Sequence, residues 1–197
     1  MAKSKFKVWE LSLLIALCLS LCAGTWAQAR QNAISGSLVR LHVLAVSDEE
    51  NEQSIKLDVR DAVLEYISPC LESAQSSDEA KRIVNENLGG IKRAAESAAR
   101  GRKVTVTLSE EYYPTREYEG FSLPAGRYDS LRVILGDGKG HNWWCVVFPP
   151  LCVSAAEQQE ALDAMSDDTR SIVAETDGYQ IKFRIVELWN EFLELFE

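Results

Sequence analysis

The residue types best suited to chemistry crowd one stretch of the chain, where His141, Cys145 and Cys152 flank the pair Trp143-Trp144. A cysteine beside a base can be a nucleophile, so Cys145 with His141 could make a Cys/His hydrolase acting on cell wall or peptide. Spacing argues against it. Along an extended segment, four residues at about 3.3 Å each place the two about 13 Å apart, while a working pair needs about 2.6–3.2 Å. Only a sharp bend at Asn142, or the other histidine, His42, would rescue the pair. The same three side chains match no closed zinc site, so no catalytic residue, metal or cofactor is expected. A disulfide is the third option: Pro149-Pro150 lies between Cys145 and Cys152, and a turn there can bring the Cα atoms within the roughly 4.4–6.8 Å a bridge needs. Two buried thiols, or a pairing through Cys70, stay open. The loop Gly136-Asp137-Gly138-Lys139-Gly140 is no phosphate cradle, because no Ser or Thr follows Lys139 and a strand follows the loop.

These residues need a scaffold, and the alternation of side chains describes one. Leu38 to Val46 reads as a strand. Ser47 with Glu50 forms a capping box opening a helix, in which Ile55, Val59, Val63 and Ile67 recur on one face and which Pro69 should end. Ser76 with Glu79 starts a second helical pattern that Gly89-Gly90 interrupts, as a kink or as two short helices, with Gly101 placed to cap its far end. Val104 to Leu108, Tyr118 to Leu123, Tyr128 to Leu135 and Trp143 to Phe148 follow as strands, the third entered through a Pro124-Ala125-Gly126 turn. In the last run Trp143, Cys145 and Val147 point one way and Trp144, Val146 and Phe148 the other. With both faces apolar, that strand is expected at the centre of the sheet. Ser154 and Glu157 open another helix, Tyr179 to Val186 reads as extended, and Glu187 to Phe196 as an amphipathic helix. The expected fold class is α/β (α+β): a single mixed, largely antiparallel sheet of about five or six strands flanked by helices, after an N-terminal signal or anchor helix.

Residues 1–29 read as a signal peptide or an N-terminal membrane anchor. Lys3, Lys5 and Lys7 precede an apolar run from Leu11 to Ala23, and Ala27-Gln28-Ala29 supplies the small residues a signal peptidase requires. Residues 30–37 form a polar tether, and residues 38–197 the domain. Whichever way the leader is used, the domain lies outside the cytoplasm. The whole chain carries a net charge of −9; the leader contributes +2, leaving −11 on the remainder. A surface so acidic is repelled by nucleic acid and by anionic headgroups, so neither is expected as a partner. Only Cys70, Cys145 and Cys152 of the five cysteines lie in the domain, too few for a disulfide scaffold, so an apolar core must hold it.

The segment Leu123-Pro124-Ala125-Gly126-Arg127-Tyr128, followed by Gly136 to Cys152 with its N-W-W-C and F-P-P-L-C, resembles the signature of the stage II sporulation protein R family. Val39 to Asp48 is similar to that family's R-x-x-V-x-A-x-S-D start, Lys56 to Leu64 to its helix, and Phe183 to Trp189 to its closing segment. Cys70 lies outside the pattern. The resemblance implies a non-enzymatic protein exported from the forespore into the intermembrane space. Its partner there would be a membrane-embedded aspartic protease that it activates, leading to pro-sigma-E processing in the mother cell. Candidate receptor-contact residues are Gly138, Gly140, His141, Asn142, Trp143, Trp144, Pro149 and Pro150. An extracytoplasmic Cys/His hydrolase is the alternative.

Overall fold

The computed structural model describes residues 8–118 and 121–151. Its elements run α1 (Val8–Ser35), β1 (Val39–Leu44), α2 (Glu50–Leu71), α3 (Ser77–Glu86), α4 (Leu88–Ala98), β2 (Val104–Tyr113), β3 (Arg116–Tyr118), β4 (Phe121–Leu123), β5 (Gly126–Leu135) and β6 (Asn142–Phe148). Among the described residues six strands are present, divided between a four-stranded sheet in the order β2-β5-β1-β6 and a separate hairpin of β3 and β4. In the larger sheet β1 runs parallel to β5, and the other two pairings are antiparallel. The α+β class, with a mixed sheet after an apolar N-terminal helix, is the observed one. The expected elements beyond residue 151, including the Ser154 capping box, the strand over Tyr179–Val186 and the closing helix, lie outside the described residues.

One face of the sheet is covered by helices. Val39, Leu41 and Val43 of β1 and Leu131, Val133 and Leu135 of β5 pack against Ile55, Val59, Val63 and Ile67 of α2 and Ile91 and Ala95 of α4. The i, i+4 spacing on α2 lines these residues along one stripe, and the two-residue period of the strands turns the matching side chains toward it. The opposite face carries a second core of Ile34, Leu38, Tyr113, Phe121, Leu123, Tyr128, Val146 and Leu151. Residues 30–35, read as part of a tether, are helical, and Gln31 and Ile34 at the end of α1 are buried.

Tertiary contacts move several local features from where the sequence alone places them. Ser47 does not cap α2; Glu49 holds the N-cap position without a side-chain bond, because the Ser47 carbonyl accepts from Gln53 Nε2 and Asp48 turns away to His141. The helix also continues through Pro69 to Leu71, which is buried in the helical core. The second capping box forms as expected, with Ser76 Oγ accepting from the Glu79 backbone N–H; Glu79 in turn accepts from the N–H of Gln75. The break that follows falls at Asn87 rather than at Gly89-Gly90, giving two short helices, and Asn87 Nδ2 donates to the Ile83 carbonyl. After α4 the chain turns through left-handed conformations at both Arg100 and Gly101.

Tyr118 to Leu123 is two short strands rather than one. Gly126 takes no positive φ; its small size instead makes way for the Gln31 side chain of α1, whose Nε2 would stand 1.8 Å from a Cβ there. Among the described strands β6 is last in the order, beside β1 alone, and the central places belong to β5 and β1. An irregularity near the end of β6 pairs Val39 with Phe148 but Arg40 with Val146, so Phe148 swings to the helical core instead of sharing a face with Trp144 and Val146.

Candidate functional site

The glycine-rich loop and the end of β1 form a single knot. The Gly140 N–H donates to the Ala45 carbonyl at 2.9 Å, the His141 N–H to Asp48 Oδ1 at 2.6 Å, and the His141 ring Nδ1 meets the same carboxylate oxygen. Lys56, nearly two turns into α2 and almost fully buried, donates to the His141 carbonyl at 3.1 Å and to Gln53 Oε1 at 2.6 Å. Burial lowers the affinity of its ammonium for the proton, and the Asp48 charge opposes that shift. Glycine is required at three positions, for two different reasons. Gly136 and Gly138 take positive φ, while a Cβ on Gly140 would stand 2.3 Å from the Ser47 carbonyl oxygen. The loop is therefore fixed against β1, and His141, Asp48 and Lys139 are displayed at its surface.

The candidate residues do not form one cluster. Gly138, Gly140, His141 and Asn142 stand at the loop end of β6, while Pro149 and Pro150 follow its far end, about 20 Å away along a seven-residue strand. Trp143 and Trp144 lie between, on opposite faces and half-buried. An arginine roofs each indole: Arg60 of α2 stands 4.6 Å from the Trp143 ring centroid, and Arg116 of β3 stands 3.8 Å from that of Trp144. Both rings are packed parts of the fold. Lys56 and Gln53 were absent from the sequence candidates. A lysine on the apolar stripe of α2, one residue after Ile55, was the available signal.

The nucleophile and zinc alternatives both need a cysteine thiolate at 145. Cys145 is disulfide-bonded, while Cys18, Cys22 and Cys70 are free thiols. Its bonding partner is not among the described cysteines. His141 is committed to Asp48, and His42 pairs in register with Trp144 on the face opposite Cys145, which lies beside Leu41. No thiolate–imidazole pair can form from these residues.

On the face away from the helices, a polar cluster is buried among aromatic rings. Arg40 is fully buried, with its guanidinium carbon 4.0 Å from the Tyr113 ring centroid and 5.0 Å from that of Tyr128, and its Nη2 donates to Tyr118 Oη at 2.5 Å. His42 Nδ1 lies 3.1 Å from Glu111 Oε2, and Arg132 Nε lies 2.7 Å from Glu111 Oε1. Tyr113 Oη shares a 2.6 Å hydrogen bond with Ser130, and Tyr128 donates to the Pro124 carbonyl at 2.6 Å. Burial lowers the His42 pKa more than Glu111 raises it, and burial raises those of all three tyrosines.

Comparison with known proteins agrees with the signature. The family model described as "Stage II sporulation protein R (spore_II_R)" matches residues 35–158, from the end of α1 through both halves of the loop knot. The stage II sporulation protein R of Bacillus subtilis (strain 168) is 31% identical over 190 residues, covering 82% of this chain and 85% of that protein. No solved structure matches the chain. With the family model covering more than half of the sequence and the relative aligned over most of both chains, the protein belongs to the stage II sporulation protein R family.

Proposed function

We propose that this chain is an exported sporulation signal: made in the forespore, it reaches the intermembrane space and activates a membrane-embedded aspartic protease, which then processes pro-sigma-E in the mother cell. It acts by contact and makes or breaks no bond itself. Family membership carries the proposal. Two physical features support it. No residue in the apolar stretch of α1 is buried within the protein, which suits a segment that enters a membrane or is removed during export. The Cys145 disulfide suits an oxidising compartment beyond the cytosol, where such bonds persist. Cys152 is the proposed partner, which peptide mapping under non-reducing conditions would show as a linked pair.

The receptor would meet the loop knot, where Asp48 and His141 are exposed on a backbone already fixed against β1. A preformed loop loses little freedom on binding, which favours recognition there. The decisive experiment expresses the full chain in a non-sporulating bacterium that also makes the protease and the sigma precursor. The expected result is a shortened precursor on an immunoblot. A Leu14→Arg/Leu17→Arg chain, held in the cytosol, should leave the precursor intact, and His141→Ala should slow processing about 10-fold if the knot is an interface hot spot. An unshortened precursor alongside a folded, exported chain would end the proposal.

A further inference from the structure

Arg40 presents a problem that the described residues do not solve. Its side chain is wholly buried, yet among the described residues Nε and Nη1 have no hydrogen-bond partner. The carboxylate on the same face, Glu111, is taken by Arg132 and His42 and also accepts from Tyr113 at 3.3 Å. The three tyrosines around Arg40 offer no negative charge, because burial keeps their hydroxyls protonated. Three further buried nitrogens of this face make no hydrogen bond to the described residues, His42 Nε2, Trp144 Nε1 and Arg132 Nε, the last held to Glu111 by charge alone. The first two belong to rings packed around Tyr113, with centroids 6.0 Å and 5.8 Å from it. A buried cation with open donors is costly unless an anion completes it.

We propose that this face of β1 is an anion site, centred on the Arg40 guanidinium, that takes a small carboxylate. The rings of Tyr113 and Tyr128 lie against the guanidinium, so its open N–H groups are best reached in its own plane, which suits a flat carboxylate better than a tetrahedral phosphate. The β3–β4 hairpin covers the site. Tyr118 accepts from Arg40, Arg116 lies on Trp144, and Phe121 and Leu123 anchor the hairpin in the second core; because it shares no backbone ladder with the larger sheet, a small anion would enter by local opening at Tyr118 without breaking that ladder. The inference does not depend on the protease reading, since it concerns binding alone.

The test uses the full chain in detergent at constant ionic strength, with sodium chloride replaced stepwise by sodium formate. A site with a dissociation constant of about 10 mM would raise Tm by about 3 °C at about 100 mM formate. Arg40→Met should lose that shift, and Arg40→Lys should keep a smaller part of it. Should Arg40→Met fail to fold, the Arg40 Nε–H resonance of the wild-type chain decides: saturable movement with formate supports the site. An equal Tm rise in wild type and Arg40→Met, or an Nε–H resonance that does not move, overturns it.

Discussion

The helix-covered face of the sheet is closed by Leu41, Val43, Leu131, Val133 and the aliphatic stripe of α2; the other face is closed by Tyr113, Tyr128, Phe121 and Trp144 around Arg40, His42 and Glu111. Both exclude water, but they do so differently. Aliphatic packing is non-directional and roughly additive in buried area, so each methylene counts and no single atom is decisive. The aromatic face buries charges and hydroxyls, each of which must find a partner in a fixed place. The first face therefore sets how stable the fold is. The second holds buried polar groups that need partners in fixed places, and among the described residues some of their nitrogens go unmet.

That contrast can be broken most forcefully on the aliphatic side. Leu131, wholly buried on the central strand β5 and paired with Leu41 and Leu108, should cost about 3–4 kcal/mol when cut to alanine, as a lost side chain plus a cavity. Urea unfolding in detergent would measure it. A cost below about 1 kcal/mol would mean that the helical face does not dominate stability.

On the aromatic side a single hydroxyl should matter. Tyr128→Phe keeps the ring but leaves the Pro124 carbonyl, at the entry to β5, without that donor; the expected loss is about 1–2 kcal/mol in the same assay. Arg40→Met should go the opposite way in anion-free buffer. Replacing an incompletely paired buried charge with an apolar chain of similar length is expected to be neutral or to stabilise by about 1 kcal/mol. Destabilisation by several kcal/mol would show that the Tyr118 bond and the tyrosine rings already satisfy the guanidinium.

The two faces were also unequally legible. The stripe of Ile55, Val59, Val63 and Ile67, the Ser76–Glu79 box and the strand over Val104–Leu108 are local patterns, so spacing alone located them. Arg40 and His42 alternate with Leu41 and Val43 in the manner of a strand with one wet face. Their burial is decided by Tyr118 and Phe121, distant residues on a hairpin that the sequence suggested only as a single strand. Gly126 failed as a turn prediction for the same reason, since Gln31 arrives from α1, and the reversal of Phe148 comes from an irregular pairing with Val39. In the knot, the glycines announced a tight loop, but nothing local said that it would close on Asp48 and Lys56.

The smallest expected effect isolates one group of the aromatic face by pH. Burial lowers the His42 pKa below its ordinary value of 6.5, against the opposing pull of Glu111 and with a small assist from Arg132. Between those two values the unfolded chain binds a proton that the folded chain refuses, so stability is fully present above about pH 6.5 and falls as the solution is acidified toward the folded pKa. The slope cannot exceed about 1.4 kcal/mol per pH unit from one group. His42→Gln, which keeps a donor for Glu111 and cannot titrate, should flatten the stability curve between about pH 6.5 and 5, above the range where carboxylates begin to protonate. His141, the other histidine of the chain, is unchanged in that comparison, so the difference between the two curves belongs to His42. If the curves stay parallel across that window, the imidazole is as well solvated in the fold as in the open chain, and the second face is wetter than its packing suggests.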